Sequence, residues 1–246
     1  MVNITEDRDV SLQPNELFNK RWQLYQKVLF NNYMNHREFY GVLHDFLTQY
    51  WQKPFSLLEL GCGDASFTVQ ALLNTNIAAY TGIDLSQDAL AIAQANMAVT
   101  PYSKNFIQGD ICAVVSQLES SQENSFDIVL TSFAFHHLNL EQKENVMAQL
   151  SHLLSSDGMF LVIDIVRSPE ESRETYIERY LENVRQNWSQ LTSQDVNMVA
   201  EHICLEDLPE TNDTLNSLAR KHGFTSGRCL YQDPQNTSQL LCFDKI

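Results

Sequence analysis

Apolar and polar positions alternate along residues 55–166 in a way that predicts strands and helices in turn. Short apolar runs are typical of buried strands, and apolar residues spaced three or four apart are typical of helices. The predicted strands are FSLLEL, AAYTGID, NFIQGD, FDIVLTSF and MFLVIDIV. The predicted helices are ASFTVQALLN, SQDALAIAQANMA with Ser86 as N-cap, and EQKENVMAQLSHLLSS with its stop at Asp157 and Gly158. This alternation predicts an α/β fold with a parallel sheet covered on both faces.

The flanking regions carry mostly helical patterns. Residues 14–50 predict two helices that end before Pro54. After residue 166, the predicted helices are SPEESRETYIERYLENVRQNW, SQDVNMVAEHI and ETNDTLNSLARKHGF, the last ending at Gly223. SGRCLYQ and SQLLCFDK flank DPQNT and predict an antiparallel hairpin. Because 167–208 is too long for a simple connection, we expect a helical insertion there rather than a separate domain.

Composition narrows the class of protein. The 246 residues include 43% hydrophobic side chains, enough for a sizeable core. The formal net charge is -15 and no basic run occurs, so a nucleic-acid partner is not expected. Five scattered cysteines without a CxxC pair indicate buried thiols in a reducing compartment rather than a disulfide framework or zinc site. With no apolar signal core and no run long enough to cross a bilayer, we expect a soluble, cytoplasmic protein without a membrane partner.

The stretch LLELGCGDAS, residues 57–66, indicates where a ligand binds. Ligands of open parallel sheets bind beyond the carboxyl ends of the strands, and glycines let them approach the backbone. Asp84 ends the next strand, 21 residues after Gly63, where an acid accepts hydrogen bonds from ribose hydroxyls. Ser66 replaces the third glycine of a dinucleotide fingerprint, and the charge of Asp64 would oppose a pyrophosphate. The pattern therefore favours a cofactor with a ribose but no phosphate.

The motifs of this region resemble those of the class I S-adenosylmethionine-dependent methyltransferases. The matching segments, in the family's order, are LLELGCGDAS, YTGIDLS, FIQGDI, FDIVLTSFAFHHL and LLSSDGMFLVID. The resemblance is to the broad small-molecule branch, whose fourth motif reads like HHL. It implies a Rossmann-like, seven-stranded, mostly parallel sheet in the order 3-2-1-4-5-7-6 with strand 7 antiparallel. It also implies a helical lid at 1–53, before a methyltransferase domain at 54–246 that carries the insertion at 167–208.

The resemblance implies cofactor-binding residues as well. These are Glu59, Gly61, Cys62 and Gly63 around the methionine part, Asp84 and Leu85 at the ribose and adenine, Asp110 and Ile111 at the adenine, and Thr131 and Ser132 near the ammonium. From the lid, Arg37 could reach the cofactor carboxylate or remain a solvated charge. Asp84 with Ser86, and Asp110 alone, could instead be helix caps. S-adenosylhomocysteine would be the product.

Candidate chemistry follows strands four and five. Methyl transfer needs alignment and desolvation, and a base only where the acceptor must lose a proton. His136, with His137 beside it, and Asp164 are the acid–base candidates, although either histidine could simply pack or cap a helix. The metal-dependent branch of the family uses paired acids after strand five, where Asp164 stands alone, so no catalytic metal is expected.

The acceptor stays open at this stage. The aromatic residues that could line a pocket or simply form core are Tyr25, Tyr33, Tyr40, Tyr176, Tyr180 and Trp188. Arg167 and Arg173 could bind an acidic substrate or pair with the neighbouring glutamates. We expect residues 14–50 and the insertion to close over the cofactor, which favours a small acceptor methylated at O, N or C. The alternatives are a non-catalytic cofactor-binding regulator, a nucleotide-dependent oxidoreductase and a tRNA-modifying enzyme.

Overall fold

The computed structural model describes residues 23–121 and 125–246. Its helices are α1 at 23–30, α2 (His36–Tyr50), α3 (Ser66–Ala71), α4 (Gln87–Asn96), α5 (Ile111–Ser121), α6 (Leu140–Leu153), α7 (Arg173–Asn187), α8 (Ser193–Glu206) and α9 (Asn212–Lys221). Its strands are β1 (Phe55–Leu60), β2 (Ile77–Asp84), β3 (Ser103–Gln108), β4 (Phe126–Ser132), β5 (Leu154–Arg167), β6 (Glu210–Thr211), β7 (Arg228–Gln232) and β8 (Ser238–Asp244). A 3₁₀ turn, Phe135–His137, follows β4. The predictions for residues 1–22 lie outside the described residues.

The strands form one sheet with the order β3-β2-β1-β4-β5-β8-β7, and the two-residue β6 pairs with β5. Strands β1 to β5 are mutually parallel, whereas β8 runs antiparallel to both β5 and β7. With the short β6 set aside, this is the predicted order 3-2-1-4-5-7-6 with an antiparallel last strand. The fold class predicted from the sequence is therefore confirmed, and the order reverses between β1 and β4, where such sheets bind ligands.

Capping residues explain where several helices begin. Ser86 accepts a hydrogen bond from the backbone N–H of Ala89 and starts α4, as predicted. Asn139, Ser172 and Thr192 each form a capping box at the starts of α6, α7 and α8. These side chains satisfy backbone donors that a helix start leaves unpaired, which stabilises each helix by about 0.5–2 kcal/mol.

The predicted end of α6 is wrong. The helix ends at Leu153, and Leu154 is already extended and paired with Phe126 of β4. Both leucines are buried, so the chain turns early to place Leu154 in the sheet. Gly158 lies inside β5 rather than at a helix stop, and a Cβ there would come within 2.9 Å of the Ser155 carbonyl oxygen.

The sheet has a hydrophobic core on each face. Leu57 packs with Leu43 and Leu47 of α2 on one face, while Leu58 packs with Leu150 of α6 on the other. Because α2 buries these leucines against the sheet, it belongs to the covering layer of the domain. The division into a lid at 1–53 and a domain at 54–246 stays a prediction.

A third hydrophobic cluster joins α1 to the insertion. Val28 of α1 packs with Tyr176 and Tyr180 of α7 and with Ile165 at the end of β5. Lys27 also forms an ion pair with Asp195 of α8, with 2.6 Å between Nζ and Oδ2. This cluster lies at the carboxyl edge of the sheet. Within the described ranges, no helix is long and apolar enough to cross a membrane.

Candidate cofactor and acceptor site

The turn after β1, residues 61–66, which we call the cofactor loop, has backbone conformations that residues other than glycine rarely adopt. Gly61 and Gly63 have φ values of 71° and 52°, and Ala65 has 51°. A Cβ on Gly61 would lie 2.5 Å from the Cβ of Ala134, which follows β4. Gly61 is therefore required both by its conformation and by the close approach of the next strand's connection.

Asp84 fixes this loop from the end of β2. Its Oδ2 accepts a hydrogen bond from the Gly63 N–H at 2.8 Å, and its Oδ1 accepts one from the Ser86 N–H at 2.8 Å. The helix cap itself is supplied by Ser86, so Asp84 acts on the loop rather than as the cap of α4. Each carboxylate oxygen keeps a second lone pair, which leaves Asp84 able to accept from a ligand hydroxyl.

Glu59 lies buried beneath the loop. Its carboxyl group accepts hydrogen bonds from the Thr68 hydroxyl at 2.7 Å and the Tyr80 hydroxyl at 2.6 Å. Burial raises the pKa of Glu59 to about 7, against the opposing effect of these two hydrogen bonds. Glu59 thereby ties β1 to α3 and β2. Beside it, burial also raises the pKa of the Cys62 thiol, so Cys62 stays protonated.

The residues expected around an adenine lie at the ends of β2 and β3. Asp110 is exposed and accepts from the Ala113 N–H at 3.0 Å, so it does cap α5. Leu85 is 69% exposed. The Cδ1 of Ile111 is 3.7 Å from the position of a Gly61 Cβ, which places Ile111 against the cofactor loop. An exposed leucine and an isoleucine beside the loop leave an apolar surface on which a ring can pack.

Strand β4 brings Thr131 and Ser132 to the same edge. Thr131 is buried, and its hydroxyl donates to the Leu60 carbonyl oxygen at 3.1 Å, so the side chain joins β4 to β1. Phe133 follows with φ 48° and donates its N–H to the Ile163 carbonyl oxygen at 2.8 Å. This turn directs the chain past the cofactor loop and into the His136–His137 segment.

Helix α1, which lies in the region expected to close over the cofactor, contacts the cofactor loop. The Tyr25 hydroxyl is 3.6 Å from the position of a Gly63 Cβ, and the Gln26 amide donates to the Asp64 carboxylate at 3.4 Å. Burial, and then the charges of Asp64 and its neighbours, raise the pKa of Tyr25. Asn96 holds the other side of the loop through a 2.8 Å hydrogen bond to the Asp64 carbonyl oxygen.

The arginines proposed as ligand-binding groups contact backbone instead. Arg37 is exposed and donates to the Phe30 carbonyl oxygen at 2.9 Å, so its cofactor contact stays a prediction. Arg167 donates to the Pro209 carbonyl oxygen at 3.1 Å, and Arg173 donates to that of Asp207 at 2.7 Å. Both arginines therefore hold the two ends of the insertion together.

Five of the six predicted pocket aromatics contribute to packing. Tyr33 stacks on Trp188 with 5.0 Å between ring centroids, and Tyr176 donates its hydroxyl to the Thr237 carbonyl oxygen. Tyr40 and Tyr180 are buried. The core interpretation therefore accounts for these rings, and Tyr25 is the one that faces the cofactor loop.

His136 and Asp164 form a buried pair after strands β4 and β5. The Nδ1 of His136 and its backbone N–H each contact a different oxygen of the Asp164 carboxylate. Burial opposes protonation of His136, but the adjacent carboxylate outweighs it and raises its pKa. The other ring nitrogen, Nε2, lies 3.5 Å from Oδ1 of Asp207. Both ring nitrogens therefore face carboxylates.

Asp207 is a residue that the sequence analysis missed. It is 6% exposed, follows α8, and lies close to His137 and His202 as well as His136. Burial and the neighbouring histidines lower the pKa of His137 to about 4. His136 and His137 were visible as a pair, but Asp207 and His202 lie some seventy residues further along, and no local pattern marks them.

Comparison with known proteins agrees with this geometry. Residues 57–158 match a family model described as a methyltransferase domain. An uncharacterized methyltransferase of Bacillus cytotoxicus is 26% identical over 165 residues, covering 67% of this chain and 73% of that protein. Residues 57–158 are therefore similar to a methyltransferase domain, in agreement with the observed fold.

Solved structures share the fold at low identity. The plantazolicin methyltransferase BpumL, in complex with a desmethylPZN analog and SAH, superposes with a TM-score of 0.62 at 17% identity, covering 93% of this chain and 91% of that one. The pyocyanin biosynthetic protein PhzM gives 0.55 at 15% identity, and there the chain covers 54% of the longer protein. At these identities the likeness concerns the fold alone.

Proposed function

We propose that this protein transfers a methyl group from S-adenosylmethionine to a small-molecule acceptor. The observation that carries the proposal is the acidic cofactor loop: the carboxylates of Asp64 and Asp84 border a glycine turn that a ligand can approach closely. In the described part of the chain, no lysine or arginine is hydrogen-bonded to this loop. Such a site attracts a sulfonium and an ammonium group and repels a pyrophosphate, which disfavours a dinucleotide.

Different residues of the site are proposed to contact different parts of the cofactor. Asp84 accepts from the ribose hydroxyls, and Leu85 and Ile111 pack on the adenine, with Asp110 accepting from its amino group. Glu59, Cys62 and the two glycines shape the loop around the methionine part.

The remaining contacts lie at the methionine end and on the lid. The end of β4 at Thr131 and Ser132 faces the ammonium group of the cofactor. To reach the cofactor carboxylate, Arg37 would have to break its hydrogen bond to the Phe30 carbonyl oxygen. Tyr25 covers the loop from α1, which supports closure over the bound cofactor.

Closure also supports a small acceptor. The hydrophobic cluster of α1, α7 and Ile165 covers the carboxyl edge of the sheet, where an open groove would be needed for a polymer. The cofactor supplies an activated methyl group, so the chain has to orient the acceptor and exclude water. A covered site in a chain whose formal net charge is -15 disfavours tRNA.

His136 and Asp164 are proposed as an acid–base pair only for an acceptor that must lose a proton. Asp164 orients the ring and leaves Nε2 to take the proton. Because Asp207 faces Nε2 in this structure, that carboxylate would first have to move. This observation also favours the second candidate function, a protein that binds S-adenosylmethionine without transferring its methyl group.

Calorimetry tests the cofactor. The full chain is titrated with S-adenosylhomocysteine, S-adenosylmethionine and NAD. We expect the first two to bind at one site per chain and NAD not to bind. Binding of NAD alone would contradict the proposal and indicate an oxidoreductase.

Turnover separates the two candidate functions. The protein is incubated with methyl-labelled S-adenosylmethionine and a library of small hydroxyl, amine and activated-carbon compounds. Transfer of label to one compound, lost in Asp84→Asn and retained in Asp88→Asn, is the result we expect. Tight cofactor binding without transfer to any acceptor would instead favour the regulatory protein.

A further inference from the structure

Three histidine nitrogens surround one carboxylate oxygen beneath the insertion. The Nε2 of His136, the Nδ1 of His137 and the Nε2 of His202 lie 3.5, 3.7 and 3.8 Å from Oδ1 of Asp207. The ligand atoms of His136, His137 and Asp207 all lie within 4.8 Å of one another. We call these four residues the histidine cluster.

These contacts are too long to be hydrogen bonds, and the central oxygen is left without a partner. Asp207 is 6% exposed, and its Oδ1 is one of four buried side-chain atoms without a hydrogen bond in the described part of the chain. An unpartnered buried carboxylate oxygen is costly, and buried charges are normally paired or bound to a metal. The surroundings of this oxygen therefore call for a cation between it and the imidazoles.

The spacing suits a tetrahedral ion. Metal–ligand bonds of about 2.0–2.2 Å at tetrahedral angles place neighbouring ligand atoms about 3.3–3.5 Å apart. The separations of Asp207 Oδ1 from His136 Nε2 and His137 Nδ1 exceed this range by only 0.2 Å at most. The ligand nitrogens of His136 and His137 lie within 4.8 Å of each other, so both rings must also rotate inward to share one ion.

The orientation of His136 adds an independent reason. Its Nδ1 contacts Asp164, which fixes the tautomer and directs a lone pair of Nε2 towards Asp207. A carboxylate behind a histidine ligand is the usual arrangement around zinc. His137 presents Nδ1, whose 3.4 Å contact with the Glu206 carbonyl oxygen is at the outer limit of a hydrogen bond and is given up on binding.

We propose that His136 Nε2, His137 Nδ1 and Asp207 Oδ1 bind a divalent zinc-type ion, with the fourth position open to His202 or to water. Neutral imidazole and carboxylate ligands in a tetrahedral set are typical of Zn²⁺. The ion joins the chain after β4 to the end of the insertion. It is distinct from the catalytic metal that the family's paired-acid branch uses, which the sequence did not predict here.

The neighbouring backbone is already built to hold this junction. The Leu208 N–H donates to the His136 carbonyl oxygen at 2.9 Å, and the buried Lys143 donates to the carbonyl oxygens of Leu138 and Leu208. Lys143 thus joins the segment after β4 to the end of the insertion by hydrogen bonds to backbone oxygens. The histidine cluster joins the same two segments through side chains. A metal there occupies Nε2 of His136, so the acid–base role proposed for His136 applies only to the metal-free chain. The ion itself has a structural role in closing the insertion.

The test uses the full chain, stripped with EDTA and dialysed, and ZnCl₂ as the probe. Zinc is titrated against a chromophoric chelator, and CoCl₂ is added separately to record the visible absorption of a tetrahedral site. We expect one zinc per chain, a higher melting temperature with zinc, and intense cobalt bands. The melting temperature is read without any methyl donor, so the result does not depend on the proposed function.

The variants His137→Ala and Asp207→Asn locate the site, and His152→Ala is the matched control. His152 is exposed and also contacts a carboxylate, Glu119, but lies outside the histidine cluster. We expect the zinc affinity of each cluster variant to fall about tenfold or more and its cobalt bands to disappear. The control variant should keep both the affinity and the bands. His137 is partly exposed, so its variant will fold, which circular dichroism verifies.

Two zinc-binding results would overturn the proposal. One is wild-type protein that takes no zinc from the chelator. The other is equal zinc affinity in the wild type and His137→Ala, which would place the ion elsewhere. A melting temperature that responds to pH but not to zinc would indicate protonated histidines paired with Asp207 instead, and would equally reject the metal.

Discussion

The cofactor loop and the histidine cluster lie at the same edge of the sheet but are built differently. The loop is local: Gly61, Gly63 and Asp64 are consecutive or nearly so, and its conformation is fixed by backbone geometry and one carboxylate from the next strand. The cluster is assembled from two segments about seventy residues apart, and its four members meet through their side chains. Residues required by a local backbone conformation can be recognised in a sequence, whereas contacts between side chains from distant segments cannot.

The largest effect is expected at the backbone of the cofactor loop. Gly61→Ala places a Cβ 2.5 Å from Ala134 at a φ of 71°. Positive φ costs about 1–2 kcal/mol and overpacking about 1–3 kcal/mol, so the free energy of unfolding falls by about 2–5 kcal/mol. Chemical denaturation measures this, and calorimetry measures the accompanying loss of S-adenosylhomocysteine binding.

Gly41→Ala is the control for that change. Gly41 lies within α2, and a Cβ there meets nothing within 4 Å. We expect this variant to be more stable by about 0.5–1 kcal/mol, because alanine favours a helix. If both alanines changed stability equally, the loop would not have the constrained geometry described here.

The next effect is on ligand affinity. Asp84→Asn removes the charge that accepts from the Gly63 N–H and that we propose accepts from two ribose hydroxyls. Hydrogen bonds to charged groups contribute about 1.5–3 kcal/mol, so the dissociation constant for S-adenosylhomocysteine rises about ten- to a hundredfold. Asp88→Asn, in the exposed first turn of α4, is the control. Unchanged affinity in Asp84→Asn would mean that Asp84 only orders the loop.

Glu59 differs from the exposed carboxylates in the pH dependence that it gives to the free energy of unfolding. Its pKa is raised to about 7 in the folded state, above that of an unfolded glutamate, so between about pH 4.5 and 7 the folded chain holds the additional proton. The contribution of Glu59 to the free energy of unfolding is fully present below pH 4.5. Between about pH 4.5 and 7 it falls by about 1.4 kcal/mol per pH unit. Glu59→Gln has no such slope, so its stability relative to the wild type rises with pH.

Denaturation of both proteins between pH 5 and 7.5 measures that slope. Glu38→Gln, which removes an exposed charge from α2, controls for net charge. Parallel curves for the wild type and Glu59→Gln would show that Glu59 is ionised in the folded protein.

The smallest effect concerns α1, which we propose as part of a lid. The ion pair of Lys27 and Asp195 joins α1 to α8, but Lys27 is 42% exposed, so Lys27→Ala costs at most about 1 kcal/mol. We expect faster hydrogen exchange in α1 and little change elsewhere. Lys53→Ala, whose ion pair with Asp157 is more than 70% exposed on both sides, should leave α1 unaffected. Equal exchange in all three proteins would remove this ion pair from the account of closure.

Periodicity was sufficient to predict most of the fold. The strand FDIVLTSF was predicted because its apolar run is bounded by polar segments, and β4 covers Phe126–Ser132. The end of α6 was missed because two buried leucines prefer the sheet, and only the pairing of Leu154 with Phe126 reveals that. The role of α2 was also hidden, since its stripe of Phe39, Leu43 and Leu47 fits a lid and a core layer equally well.

The residues of the candidate site also fall into those that the sequence predicts and those that it does not. Asp84 and the glycines follow from spacing along the chain, and the structure places them in contact. Tyr25 and Asn96 reach the loop from separate helices. Tyr25 was one of six aromatic candidates that the sequence could not separate, and no local pattern marks Asn96. Asp207 was missed for the same reason. Residues that act through the backbone of a turn are therefore predictable, whereas those that arrive from another element need the tertiary structure.

Hydrogen exchange with and without S-adenosylhomocysteine tests the central claim most directly, namely that the cofactor loop and α1 enclose the methyl donor. The account predicts slower exchange at residues 61–66, at 84–86 and in α1 at 23–30, with little change at 204–208 around Asp207. Protection at 204–208 without protection of 61–66 would contradict it, because the ligand would then occupy the histidine cluster rather than the loop.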